Sequence, residues 1–270
     1  MSTLLAAVDN SAAAGPVLAA AQAIARRLGW RLEAVHVRVN GDRGALAAAM
    51  SAEVELHEVA GPLLAGLAQA ASRADIEALV LGARGFPSAD RPLGGTALAL
   101  IADLDKPIVI VPPEAPRLAS LERILIPLDA TDASADALRR GIGMLRAADV
   151  EIVILHVHFD GTLPIFDDQP QHETDAWMEE FLCRFCPLPA GEVRLELRTG
   201  RPGEHVLDVA AEVGADLIAL GWKQDLAPGR AAVVREVLSR SPVPVILFPL
   251  PTADELARRL RENRYEAGRL

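Results

Sequence analysis

The sequence predicts an α/β protein built as two tandem, open, doubly wound parallel-sheet domains. Short apolar runs without polar alternation recur along the chain, helical patterns separate them, and the whole series occurs twice. Leu4–Val8 is apolar on both faces, as a strand buried between two helical layers must be. From Ala12 to Leu28 the apolar residues take helical spacing, and Gly29 ends the run. Further strands are expected at Leu32–Val37, Val54–Val59, Ala78–Leu81 and Ile108–Val111, with a helix from Ala97 to Leu104 before the last. Helices alternating with continuous apolar strands imply a parallel sheet covered on both faces, wound by right-handed crossovers.

The duplication rests on matched spacings. Leu4–Asp9 and Ile124–Asp129 are apolar runs ending in aspartate. Asp9 to His36 spans 27 positions, and so does Asp129 to His156; Gly61 to Gly82 spans 21, as does Gly200 to Gly221. Between these blocks the copies differ: His36 to Gly61 covers 25 positions and His156 to Gly200 covers 44, a difference of 19. That excess is long enough for a helix seeded by Trp177 to Phe185. The proline-rich stretch Pro112–Pro116 closes the first copy, because neither a helix nor a central strand tolerates it. The expected domains are therefore residues 1–113 and 121–250, followed by a C-terminal helical tail at 251–270.

Composition narrows the function. The 270 residues include 37 acidic and 27 basic side chains, a net charge of −10, which disfavours nucleic-acid binding. Half of the residues are apolar and about a quarter charged, ordinary values that exclude wholesale disorder. No apolar run approaches the roughly 18 residues of a membrane span. The first residues lack a basic region and reach Asp9 early, unlike a signal peptide, and two cysteines cannot build a secreted disulfide framework. A soluble cytoplasmic protein with no nucleic-acid or membrane partner is expected. P-loop, dinucleotide-fingerprint and nucleophile-elbow motifs are missing from the sequence.

In an open parallel sheet, ligands bind beyond the carboxyl ends of the strands, where the strand order switches. Asp9, Val37 and Gly82 all fall at or just past such ends. The segment Gly82-Ala-Arg84-Gly85, then nine residues, then Gly95-Thr96 leads into the helix expected from Ala97. Glycines permit close backbone approach, and a helix start offers unpaired N–H groups and a positive dipole end, which together suit a phosphate cradle. Thr96 adds a hydroxyl, while Arg84 and Arg91 offset phosphate charge.

On these residues the chain resembles the universal stress protein family, whose nucleotide-binding members carry G-x2-G-x9-G followed by Ser or Thr. Gly82, Gly85, Gly95 and Thr96 fit that pattern at every position. The strand-one Asp9, the His36-Val37 pair and the Asp216–Gly221 element are also similar to the family. The resemblance covers residues 1 to about 250 as two modules of the adenine nucleotide α-hydrolase-like fold. It implies that Asp9 and Val37 flank adenine and ribose. It further implies that Gly82, Arg84, Gly85, Gly95, Thr96 and the backbone of Ala97 take the phosphates of ATP, with Mg2+ as a companion ion. A stress-response or regulatory role follows. The first copy has Ala7 where the family often has proline, as at Pro127.

The second copy departs from the pattern. Gln224 replaces the second glycine, and the third glycine with its hydroxyl partner falls at Val234-Arg235, or at Ala232-Val233 if Pro244 is aligned with Pro107. Trp222 and Gln224 are expected to fill the space a phosphate chain needs, so this copy is expected not to bind ATP. Gly229-Arg230 before the next helix leaves a different anion as an alternative. Other readings stay beside the leading one: slow ATP hydrolysis or self-phosphorylation, for which no general base stands out and Asp90 is the loop's acid, or a platform that binds no nucleotide. Ile108–Val111 and Val243–Phe248 are expected to pair within the chain as an intramolecular pseudo-dimer, with a further homodimer compatible with it. Asp9 doubles as a helix cap. His36 and His156 read as satisfied core histidines rather than catalytic ones. Cys183-x-x-Cys186 closes a helix instead of opening one, so it reads as structural, although His156, His158 and His172 of the same module offer further metal-type ligands. Arg139-Arg140 and Arg258–Arg261 read as solvated helix faces.

Overall fold

The protein is described by a computed structural model over residues 2–11, 13–38, 54–83, 93–131, 134–135, 141, 149–158, 170–186, 188, 193–225 and 230–250. The loop residues Arg84, Gly85, Asp90 and Arg91, the Gly229 turn, both arginine runs and the tail lie outside these residues. Within them the first half contributes β1 (Thr3–Ala7), α1 (Ala14–Leu28), β2 (Arg31–Arg38), β3 (Glu55–Ala60), α2 (Leu63–Ala71), β4 (Ile76–Gly82), α3 (Gly95–Asp103) and β5 (Ile108–Val111). The second contributes β6 (Arg123–Pro127), β7 (Glu151–His158), α4 (Pro170–Phe185), β8 (Val193–Thr199), α5 (Pro202–Val213), β9 (Leu217–Trp222), α6 (Ala232–Arg240) and β10 (Val245–Pro249).

The strands form one sheet in the order β3-β2-β1-β4-β5-β10-β9-β6-β7-β8. Each half is doubly wound, with its switch point between β1 and β4 or between β6 and β9. All pairings are parallel except the seam, where β10 runs antiparallel to β5 with Val245, Ile246 and Leu247 opposite Ile110, Val109 and Ile108. The expected pairing of Ile108–Val111 with the last strand is found, and it joins the two halves into one continuous sheet. The reason lies in β5: its Ile-Val-Ile-Val is buried throughout, and a buried strand must pair the backbone groups on both of its edges. Because the seam is antiparallel, the carboxyl ends of the first five strands and of the last five emerge on opposite edges of the sheet.

Helices cover both faces. On one side α1 and α4 pack over Leu4, Ala6, Ile124, Ile126, Ile152 and Ile154. On the other α2, α3, α5 and α6 pack over Leu5, Leu79, Leu125, Val153 and Ile218. Strand residues alternate between the two clusters, the period-2 rule of a pleated sheet. Each fully buried Leu or Ile contributes roughly 1.5–3 kcal/mol.

Helix α1 buries Val17, Leu18, Ala21, Ile24 and Ala25, one face of a 3.6-residue period. It ends at Gly29, whose φ of 66° lets its N–H reach the carbonyls of Ala25 and Arg26. Gly61 and Gly200, the matched glycines after β3 and β8, have φ of 127° and 133°, a region essentially closed to side-chain-bearing residues. The spacing that revealed the duplication therefore marks a backbone requirement. Among the described residues no helix is long and apolar enough to cross a membrane.

Candidate functional site

The switch point of the first half brings several expected site residues to one edge. Two residues past β1, Asp9 accepts the Ser11 N–H at 3.0 Å and the Ser11 hydroxyl at 2.5 Å. The Ser11 oxygen in turn accepts the Ala13 N–H at 3.2 Å. Asp9 thus caps α1 through a relay and not directly, since the helix starts at Ala14. Asp129 repeats the arrangement, accepting the Thr131 N–H at 3.1 Å and its hydroxyl at 2.7 Å, and Thr131 accepts the Ser134 N–H.

Val37 is buried, and its side chain packs beneath Gly66 of α2, where an added Cβ would lie 3.2 Å from it. What it can offer a ligand is backbone. The last bond between β1 and β2 runs from Val8 N–H to Val35 C=O at 2.9 Å. Strand periodicity points the Val37 N–H and C=O to the same side, beyond the place where β1 turns away. A flat base with adjacent donor and acceptor atoms matches such a pair.

Gly82 closes β4, and the Ala83 N–H donates to Val111 C=O at 2.8 Å. The Gly94 N–H donates to Ala83 C=O at 2.8 Å, pinning together the two ends of the glycine loop. Helix α3 then begins at Gly95, two residues earlier than the sequence suggests, with no side-chain cap. Its first N–H groups, on Gly95, Thr96 and Ala97, are those a helix cannot satisfy internally. A Cβ built on Gly95 would meet nothing within 4 Å among the described residues. This uncrowded helix start suits a polyphosphate. Arg84 and Gly85 lie outside the described residues.

At the second half's switch point α6 begins at Ala232, so Ala232 and Val233 stand where Gly95 and Thr96 stand in the first half. Its preceding residue, Ala231, has φ 52°. Gln224 sits at φ 54°, the left-handed conformation that a glycine adopts readily. Its side-chain amide donates to Leu104 C=O at the far end of α3, at 2.9 Å. Trp222 corrects an expectation: it is buried in the core between the sheet and its helices, in the manner of Ala83, and does not fill the crevice. The cause is its register, since the last strand residue after Gly221 faces the helical layer.

The histidines are satisfied as expected: His36 Nδ1 lies 3.0 Å from Val8 C=O and His156 Nδ1 2.8 Å from Leu128 C=O. Cys183 is exposed and Cys186 buried, both as free thiols. Burial pushes the Cys186 thiol up, only partly offset by a backbone hydrogen bond from Leu188, which disfavours a reactive thiolate. Among the described residues no cluster of three metal-type ligands includes either cysteine.

Such a cluster does occur at the amino edge of the first half, where Glu33, Glu55 and His57 present atoms within 4.8 Å of one another. Sequence reasoning missed it, because an acid inside a strand gives no pattern. Glu33 is 1% exposed and held by Arg73 at 2.8 Å, His57 at 3.0 Å and Arg31 at 3.2 Å. Burial pushes its carboxyl up, yet the Arg73 hydrogen bond and charge, with Arg31 and His57, bring it below its ordinary value. Guanidinium groups already fill the positions a cation would need, so the cluster is an ion-pair lock between β2 and β3.

Comparison with known proteins adds to this geometry. Residues 120–249 match the universal stress protein family. The fold is similar to a universal stress protein from Archaeoglobus fulgidus, with 19% identity, TM-score 0.64, and coverage of 92% of this chain and 98% of that one. It is also similar to a functionally unknown protein from Pseudomonas aeruginosa PAO1, at 14% identity, TM-score 0.67, and coverage of 95% and 94%. No curated protein matches the sequence. The second half is thus a universal stress protein domain by sequence, and the whole chain shares the fold of these structures.

Proposed function

We propose that the first half binds an adenine nucleotide, ATP in the leading case, at the carboxyl edge of β1 and β4, and that binding serves a regulatory role. The observation that carries this reading is the start of α3: an uncapped helix opening on a glycine with free space above it. Val37's outward backbone pair supports recognition of the base edge, and Asp9 stands beside it for the ribose. Gly82, Gly95, Thr96 and Ala97 supply the phosphate side, joined by Arg84 and Gly85 from the loop. The second half lacks the glycine-hydroxyl pair at Ala232-Val233 and takes no nucleotide in this manner. Nucleotide occupancy would change the surface offered to partners.

Calorimetric titration of ATP into wild type and Gly95→Val tests this reading. The variant is expected to weaken binding at least tenfold while keeping the thermal midpoint, because its side chain enters space that the unliganded protein leaves open. Wild type that binds no adenine nucleotide, or a variant that binds as tightly, would overturn it.

A further inference from the structure

We propose that His156 and His158 form a binding site for a divalent first-row transition-metal ion of the zinc type, at the carboxyl end of β7 beneath α4. Two residues apart on a strand, they project from the same face of the sheet, and both are more than nine-tenths buried. A carbonyl oxygen only accepts, so His156 Nδ1, 2.8 Å from Leu128 C=O, carries the proton of the neutral ring. That leaves Nε2 as a bare lone pair, the tautomer that metal-bound histidines adopt when a backbone carbonyl orients them.

His158 supplies the second observation. Its Nε2 is buried and meets no hydrogen-bond partner among the described residues. Native proteins rarely leave such an atom unmatched, and an ion is one of the few things that satisfies it. The ring centroids lie 4.4 Å apart with planes at 88°.

The surroundings suit a dry ligand set. Trp177 lies 4.8 Å from His158 and Phe181 4.6 Å from His156, centroid to centroid, both from α4. The first half has no such pair, although His36 makes the same backbone bond as His156, because Arg38 occupies the place of His158. The two histidines leave coordination positions for water or an incoming ligand, and imidazole donors favour zinc, copper or nickel over magnesium or calcium.

The test uses chelator-treated full-length protein and Zn2+. Long-range 1H–15N spectra of wild type should show one equivalent of Zn2+ moving Nε2 of His156 and His158 while leaving His36 unmoved. By calorimetry, His158→Phe, which keeps an aromatic ring but no nitrogen, should weaken Zn2+ binding at least tenfold. Unmoved His156 and His158 resonances at stoichiometric zinc overturn the proposal whatever the variant's stability, and so does a folded His158→Phe that binds Zn2+ as wild type does.

Discussion

At the carboxyl edge of the first half, α3 begins on Gly95 with open space around its Cα, whereas α6 begins on Ala232 behind an Ala231 held at φ 52°. The flanking devices are nearly identical: the Asp9–Ser11 and Asp129–Thr131 turns, the His36 and His156 bonds to the carbonyl after the first strand, and the glycines at φ 127° and 133°. The backbone of the crevice has thus been kept in both halves while the side chains that would meet a ligand have diverged. Gln224 shows how: it keeps a glycine-like conformation and spends its amide on Leu104 of the other half. In the second half this position tethers the two halves.

The comparison can be broken at the seam that makes the halves one molecule. Ile246→Ala removes a side chain 1% exposed opposite Val109, and should cost about 2–5 kcal/mol. Because the sheet is continuous, urea denaturation followed by tryptophan fluorescence and by far-UV circular dichroism should remain a single coincident transition. Two separated transitions would show that the halves stand independently.

Next in size, Gly61→Ala and Gly200→Ala should each cost roughly 1–3 kcal/mol from backbone strain. Gly200→Ala should be the worse, because its Cβ would lie 2.9 Å from His205 Nε2 while that of Gly61 meets nothing. Equal losses in urea melts would mean that conformation alone sets the cost.

The halves should also differ in acid sensitivity. Glu33 is held below its ordinary pKa, so its contribution is present above the unfolded value near 4.5 and is lost as pH falls through the lower folded value. The matching position in the second half is Val153, which does not titrate. Thermal midpoints measured downward from pH 5 should fall more steeply for wild type than for Glu33→Gln, which itself should cost about 1–3 kcal/mol at pH 7 by unpairing buried groups. Parallel pH profiles would remove Glu33 from the account. Smallest of all, Asp149 stands at φ 49° where the first half has Gly29 at 66°. Asp149→Gly should therefore raise stability by about 0.5–1 kcal/mol in the same melts.

Much of the fold was legible because its demands fall on single residue types. Gly61 and Gly200 could be nothing else, and Ile108–Val111 was read to the residue because only a strand buried on both faces is apolar at every position. The fusion into one sheet was legible only as a pairing of two apolar strands, since register and direction leave no local pattern. At the candidate site, Gly95 and Thr96 stood out because their spacing from Gly82 and Gly85 fits a known sequence pattern. Trp222 was misjudged because its bulk suggested obstruction, whereas strand parity turns it into the core. His158 carried a faint signal, a second histidine two positions on, whose meaning needed the covering α4 to become visible.

The antiparallel seam has a consequence for assembly. By joining β5 to β10, the chain consumes within itself the apolar border that a single copy of the fold would have to share with another molecule. The borders left among the described strands are β3 and β8, one carrying Glu55, His57 and Glu58, the other Arg194, Glu196 and Arg198. Among the described strands, a second copy approaching either border would therefore meet charged margins, and the strength of such an association should answer to salt.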